Sequence, residues 1–401
     1  MPYAIHQIEI TEPLTAIALQ AETGLAIVVR RYDRPIGFLM RALSANATVS
    51  PDELSTWIAK ELGAKLIQEA LWQEFTTPLD VSQFPSLTVA ICTKDRPDNV
   101  QRCLKTLLAV QVPSAFEVLV IDNAPSDDRT QRLVESLPGV QYVCEPKPGL
   151  DFARNRALHA AQTELIAFLD DDVVVDRQWL NGLKTAWAEN PDAAAFTGLV
   201  LPYELETPAQ ILFEQRGGFR RGFEKIRYGA VLPGNEYYPC GSGIFGAGCN
   251  MTFRRETVLK LGGFDEALDT GAPLPGGGDL DIFYRMIRAG EILVYEPQYV
   301  IYHQHRQEWD KLRRQYWTWG LGLMAFVIKS YQTDPPERDR LLGLTRWWFQ
   351  DQLKQLVKSL IGRHPLPPEM LFAELWGGVV GLLGEYPRSL DRIEQIRRRY
   401  S

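Results

Sequence analysis

Positive charge, paired cysteines and long apolar runs are all scarce in this chain, and each scarcity removes a class of function. Acidic residues outnumber basic ones by 50 to 43, a formal charge of −7, so there is no electrostatic reason to expect nucleic acid as a partner. The five cysteines, at 92, 103, 144, 240 and 249, make no CxxC and no paired spacing. Cys92 and Cys144 lie inside apolar runs, so the expectation is reduced, buried thiols of a cytosolic protein rather than a disulfide framework. The five histidines show no zinc-type spacing, with His303 and His305 only two apart. The most apolar stretch, Tyr316 to Ile328, is too short and too punctuated by glycine to span a bilayer. The opening MPYAIHQIEITEPLTAI lacks the charged-then-apolar pattern of a secretion signal. The expected setting is the cytoplasm, with peripheral contact to the inner face of a membrane.

What the chain does have is concentrated between Leu165 and Asp176. Five apolar residues run straight into Asp170, Asp171 and Asp172, and a second apolar run follows. The first run reads as a strand buried on both faces, as in parallel sheets. Carboxylates at the carboxyl end of such a strand stand where open α/β sheets bind ligands. Adjacent unpaired carboxylates repel and are costly to desolvate. A divalent cation resolves that conflict, and carboxylate oxygens suit Mn2+ or Mg2+.

At 401 residues the chain suggests one large domain with additions, or two. Residues 1–84 read as a small α+β module. It holds two strands within 26–40 joined by an Asp-Arg-Pro turn, then a helix from Pro51 to about Leu71. Thr76 to Pro85, with two prolines, reads as a linker. From Leu87 short apolar strands (87–93, 116–124, 140–146, 165–172) alternate with helices (99–110, 128–137, 150–162, 178–189). That alternation implies a parallel sheet with right-handed crossovers. Its strand ends place Thr93, Asp122, Gly149 and Asp170–Asp172 along one edge. The stretch 217–248, rich in glycine and aromatics, reads as a mobile loop near an active site. Helices are expected at 254–262 and 279–289, with EILVYEP as the strand after the second. Residues 307–401 read as a helical extension rich in tryptophan, packed on the sheet or lying at a membrane interface.

Taken in order, the segments AICTKDRPDNVQRCLKTLL, EVLVIDNAPSDD, EPKPGLDFARNRAL, FLDDDV, FGAGCNMTFRRETVLKLGGFDEAL, GGGDLDIFYRMIRAGEILVYEP and YHQHR resemble the family-2 glycosyltransferases, over roughly residues 86 to 306. The resemblance implies a GT-A fold: a Rossmann-like, mostly parallel sheet flanked by helices, here in residues 85–306. It implies an enzyme that transfers a sugar with inversion from a nucleotide diphosphate sugar to a hydroxyl acceptor. Uridine diphosphate is favoured as the nucleotide because it is common in that family. Thr93, Asp95, Arg96, Asp122 and Asn123 would then meet the nucleoside. Gly149, Arg154 and Asn155 would border the diphosphate, Asp170 and Asp171 the sugar nucleotide. Asp172 and His303 would hold the metal, with Asp170 less directly placed.

The chemistry is coherent. A departing diphosphate needs a cation and positive side chains to take up charge, and Arg154 can fork onto a phosphate. An acceptor alcohol needs a base. By the resemblance that base is Asp279, at a helix start behind Gly276-Gly277-Gly278. Relatives commonly carry Glu where this chain has Gly278, which leaves Asp281 as a substitute candidate. Three rivals stand beside this reading. Asp170-Asp171-Asp172-Val173-Val174 fits the motif of haloacid-dehalogenase-type phosphatases, although three βα units precede it and Phe283 occupies the place of a later Asp. A nucleotidyltransferase would share the fold but lacks its glycine-rich signature here. A non-catalytic nucleotide-sugar-binding or scaffolding protein is the third.

Overall fold

The computed structural model describes residues 2–75, 81, 83–110, 115–269, 271 and 274–400. The N-terminal module is a small sheet backed by one long helix. Strand β1 (Ala4–Glu9) pairs parallel with β3 (Gly24–Arg31), and β3 pairs antiparallel with β4 (Arg34–Ala42). Two short strands, β2 (Ile17–Ala18) and β5 (Thr48–Val49), close a separate ladder before α1 (Pro51–Phe75). The β3–β4 turn is made by Tyr32 and Asp33, not by the expected Asp-Arg-Pro. Both have positive φ, 48° and 68°, which is what a two-residue hairpin needs to match strand twist. Most of the expected linker, Thr76 to Pro85, lies outside the described residues.

The central unit follows the expected alternation. Its elements are β6 (Leu87–Thr93), α2 (Pro97–Val110), β7 (Glu117–Asn123), α3 (Arg129–Glu135), β8 (Val140–Glu145), α4 (Leu150–Ala160), β9 (Leu165–Asp170), β10 (Val173–Val175) and α5 (Trp179–Glu189). Then come β11 (Ala195–Pro202), α6 (Pro208–Gln215), β12 (Ile226–Tyr228), β13 (Asn250–Arg254), α7 (Arg255–Lys260), α8 (Gly278–Arg288) and β14 (Leu293–His303). Strands run in the order β10-β14-β11-β13-β9-β6-β7-β8, with β12 also on β14. The block β9-β6-β7-β8 is parallel, as is β11-β14. Between them β13 runs antiparallel to both neighbours, so the expected parallel sheet is interrupted by a reversed strand. The fold class is nonetheless the expected one: α/β, mostly parallel, with helices on both faces.

Apolar side chains from alternate strand positions separate into two cores. Val89, Ile91, Val118 and Val120 pack with α2 and α5 on one face. Ala90, Leu119, Ile121, Ile166 and Phe168 pack with α4 and α8 on the other. Cys144, expected to be buried, is exposed because β8 is an edge strand. The 217–248 stretch does not stand off as a loose loop. Tyr228, Tyr238 and Phe245 sit in the second core, so burial of aromatics ties it down.

The three segments share cores. Val28 of β3 packs with Leu199, Leu201 and Val300 of the large sheet. The buried Arg30 pairs with Asp176, and Tyr302 Oη donates to Asp176 at 3.0 Å. The C-terminal helices α9 (Trp309–Thr333), α10 (Arg338–Leu360), α11 (Pro368–Val380) and α12 (Tyr386–Arg399) pack back on α4 and α8. Helix α9 crosses α11 at glycine: a Cβ on Gly320 would lie 2.0 Å from Glu374 O. Among the tryptophans, Trp348 is buried and Trp347 and Trp376 are exposed. No helix among the described residues is long and apolar enough to cross a membrane.

Candidate active site

Strand register brings the polar residues together. Thr93 is level with Asp122, and Cys92 with Asp170, so the ends of β6, β7 and β9 open on one edge. Past Asp170 the chain turns through Asp171 and Asp172 into β10, where Val173 pairs with His303 at the end of β14. That pairing sets His303 beside Asp172, its Nε2 3.3 Å from Asp172 Oδ1. The reversed strand completes the corner: Asn250 pairs with Leu169, so the preceding Cys249 comes alongside Asp170.

Asp170, Cys249 and His303 each offer a ligand atom, and these atoms lie within 4.8 Å of one another. Asp172 Oδ1 is buried and makes no hydrogen bond. Burial, then the neighbouring Asp172, push the Asp170 carboxyl up to about 7, and burial with Asp172 also raises Asp171. Burial takes His303 down to about 4, so its imidazole is neutral and free to be a ligand near neutrality. Carboxylate and imidazole donors at one point, with the orphaned Asp172 Oδ1 3.3 Å from His303 Nε2, fit a divalent cation of the Mn2+ or Mg2+ type. Cys249 was not singled out in the sequence. Burial first, then Asp170, Asp172 and Asp279, hold its thiol well above the ordinary range.

Asp171 is engaged differently. It accepts from Thr93 Oγ1 at 2.7 Å and from Arg96 Nη1 at 3.1 Å. Arg96 Nη1 and Arg306 Nη1 each stand 3.8 Å from Asp172 Oδ2.

Arg154, buried on α4, donates to Asp151 at 2.9 Å and to Asp269 at 3.3 Å. Both acids are raised, Asp151 by burial and Asp269 to about 6 by burial. Neither was picked out in the sequence, although Asp151 stands three residues before Arg154 on one helix face. Asp151 also explains Gly278. A Cβ there would lie 2.1 Å from Asp151 Oδ2, so a buried carboxylate from α4 fills the space where a side chain at 278 would begin.

Asp279 lies in the first turn of α8, whose N-cap is Gly277 at φ 115°. Its Oδ2 accepts from Gly248 N at 3.2 Å, one residue from Cys249. Asp281 points elsewhere. It is 1% exposed, accepts from Arg285 Nε at 2.7 Å, and pairs with Lys329 of α9. Helix α9 also presses on the glycine run, since a Cβ on Gly322 would lie 2.8 Å from Gly276 O.

The remaining residues mark the far end of the edge. Asp122 is buried, accepts from Tyr142 Oη at 3.1 Å and keeps Oδ1 without a partner. Asn123 donates to Lys147 O and accepts from Gly149 N at 2.9 Å, fixing the turn into α4. Gly149 takes φ 141° there. Asp95, at φ 55°, accepts from Ser126 N and Oγ, both at 2.8 Å. Asn155 is held by Phe264, accepting from its N at 2.8 Å and donating to its O at 3.0 Å. The side chains of Asp95, Asn123 and Asn155 are thus occupied by protein partners, whereas Asp122 and Asp172 keep oxygens to spare.

Residues 88–256, from β6 into α7, match the family described as Glycosyl transferase family 2. This α/β unit is a family-2 glycosyltransferase. The chain is 23% identical to the glucosyl-dolichyl phosphate glucuronosyltransferase of Haloferax volcanii over 68% of this chain and 87% of that protein. It is 26% identical to the pre-mycofactocin glycosyltransferase of Mycobacterium tuberculosis over 55% of this chain but only 43% of the relative. A solved mannosyltransferase of Pyrobaculum calidifontis, in complex with GDP-Man and Mn2+, aligns over 84% of both chains at TM-score 0.45 and 16% identity. With the family-2 glycosyltransferase established, the phosphatase, nucleotidyltransferase and non-catalytic readings fall away.

Proposed function

We propose that this glycosyltransferase moves a sugar, with inversion, from a nucleotide diphosphate donor to a hydroxyl acceptor, and that it needs a divalent cation. The observation that carries the reading is the unbonded Asp172 Oδ1 3.3 Å from His303 Nε2, with Asp170 and Cys249 clustered on the same imidazole and Asp279 accepting from Gly248 N next to Cys249. Asp170, Asp172 and His303 would hold Mn2+ or Mg2+. When bound, that ion supplies charge neutralisation to the departing diphosphate.

The chain's own residues divide the rest. Arg154, held by Asp151 and Asp269, places a fixed positive charge beside the carboxylates. The free Oδ1 of Asp122 is available to a base edge, and Asp171 with Thr93 and Arg96 lies where the ribose would sit. Asp279 accepts the proton of the acceptor hydroxyl. Uridine diphosphate is the nucleotide to try first, with guanosine diphosphate beside it, because Asp122 can accept from either base. The test is turnover with UDP- and GDP-sugars in chelator and with Mn2+ restored. Full activity in excess chelator with any donor removes the metal from the reading.

The setting we propose is a reducing compartment, which suits five unpaired cysteines, with peripheral contact to an anionic membrane. Helix α10 leaves Leu342, Leu353, Val357 and Leu360 exposed, beside Arg346, Lys354 and Lys358. Co-sedimentation with phosphatidylglycerol vesicles but not with neutral ones is the expected result. Equal recovery with both, or with neither, contradicts that contact.

A further inference from the structure

Two buried side chains outside the donor edge have no place in the mechanism so far. Glu214 and His305 are 1% and 3% exposed. His305 Nε2 lies 2.7 Å from Glu214 Oε1, and His305 Nδ1 lies 3.2 Å from His303 Nδ1. Phe219 packs on both imidazoles, with ring centres 5.1 Å from His303 and 5.8 Å from His305, and Phe213 packs on His305 at 4.8 Å. Arg220 Nη1 stands 3.2 Å from Glu214 Oε2 and Arg220 Nη2 donates to Glu214 O at 3.0 Å, while Oε2 makes no hydrogen bond. Gly218, at φ 55°, leaves no room for a Cβ, which would fall 2.1 Å from Oε1.

Donor and acceptor counting assigns the protons along this chain. A carboxylate only accepts, so His305 Nε2 must donate to Glu214. With one proton on His305, its Nδ1 accepts and His303 Nδ1 donates to it. That leaves His303 Nε2 as a bare lone pair, 3.3 Å from Asp172 Oδ1. Asp172 Oδ1 makes no hydrogen bond. Two lone pairs facing each other in a buried place are unfavourable unless a cation sits there.

We propose that Glu214 and His305 are positioning residues that act through His303. Two successive hydrogen bonds hold its ring with the Nε2 lone pair turned to Asp172 and the cation. The inference rests on the metal reading above and extends it into α6, a helix with no ligand of its own. It follows the general pattern in which the distal nitrogen of a metal-binding histidine is oriented by a hydrogen-bonded partner.

The test uses the full chain and Mn2+, followed by electron paramagnetic resonance, with whichever of UDP and GDP raises the wild-type melting temperature. Glu214→Leu keeps a similar size but removes the acceptor that fixes His305 Nε2 as a donor, so the His303 tautomer is no longer set. Mn2+ affinity should fall about 10–100-fold, while nucleotide affinity in chelator stays at the wild-type value. Unchanged Mn2+ affinity overturns the proposal. So does a parallel loss of nucleotide affinity in chelator, which marks a merely structural role. A wild type that binds no Mn2+ overturns the proposed function and the relay with it. Nitrogen-15 shifts of the metal-free wild type need no variant to fold. They should show His303 protonated at Nδ1 and bare at Nε2, and the opposite tautomer overturns the proposal.

Discussion

Buried and half-buried acids occur in two kinds of place in this molecule, and the two differ in whether the protein itself supplies partners for them. Asp176 and Asp281 lie in closed networks. The first meets Arg30 and Tyr302 where the N-terminal module docks, and the second meets Arg285 and Lys329 between α8 and α9. Each faces cations that match it. At the donor edge Asp170, Asp171 and Asp172 follow one another, with a neutral histidine, a protonated thiol and half-exposed arginines for company. Desolvation there is not repaid within the protein, and Asp172 keeps an oxygen unbonded. A closed network costs stability when broken, whereas an open one waits for a ligand.

The largest expected effect is therefore at the open end. Asp172→Ala should abolish transfer while leaving the melting temperature of metal-free protein unchanged or higher, since it removes a repulsive buried charge. Steady-state turnover and thermal melting in chelator check both halves. A lowered melting temperature with retained activity would place Asp172 in the scaffold.

Asp279 and Asp281, two residues apart on α8, give the sharpest contrast. Asp279→Asn should lower turnover by ~10²–10⁴, the usual worth of a general base, with donor affinity preserved. Asp281→Asn should leave chemistry nearly intact and cost stability on the order of 3 kcal/mol, because it strips a buried ion pair of one partner. Single-turnover rates and denaturant unfolding separate the two, and the reverse pattern would exchange their roles.

A subtler effect follows from Asp170. Its carboxyl, near 3.9 when unfolded, is pushed up to about 7 in the fold by burial and by Asp172. Between those values the folded chain keeps a proton that the unfolded chain has lost, so this group's contribution to stability falls as pH rises. In chelator, Asp170→Asn should gain stability relative to wild type as pH goes from about 4 to about 7. Melting curves across that range check the sign, and a constant difference would contradict it. The smallest effect is expected at Cys249. Hard cations prefer the oxygen and imidazole donors present, so Cys249→Ser should change Mn2+-dependent turnover by less than about tenfold. A complete loss would point to a thiophilic metal.

Much of this contrast was legible in the chain because it is local. The apolar run that ends in three carboxylates fixes both β9 and the edge it serves, and the βα alternation fixes its parallel neighbours. Asp279 and Asp281 differ by two residues on a helix, which turns them to different faces. Residues that arrive from far away were not legible. Glu214 is 91 residues from His305, and nothing near it in sequence marks it. Cys249 reaches Asp170 only because β13 runs backwards beside β9, and its five residues are too short for a period to stand out. Strand β11 was different: the apolar run Ala195–Pro202 carried a signal, masked because no polar cluster ends it. Asp151 shows how a gap in a motif can be filled from another element, since its carboxylate occupies the space beside Gly278.

The central claim is that the open carboxylates exist to hold a cation against a nucleotide diphosphate. Calorimetry of UDP and GDP binding, with Mn2+ and in chelator, on wild type and Asp172→Ala, tests it most directly. The account predicts that at least one nucleotide binds wild type far more tightly with Mn2+, and that Asp172→Ala loses this gain but keeps the weaker chelator affinity. Nucleotide binding that ignores both Mn2+ and Asp172 would contradict it.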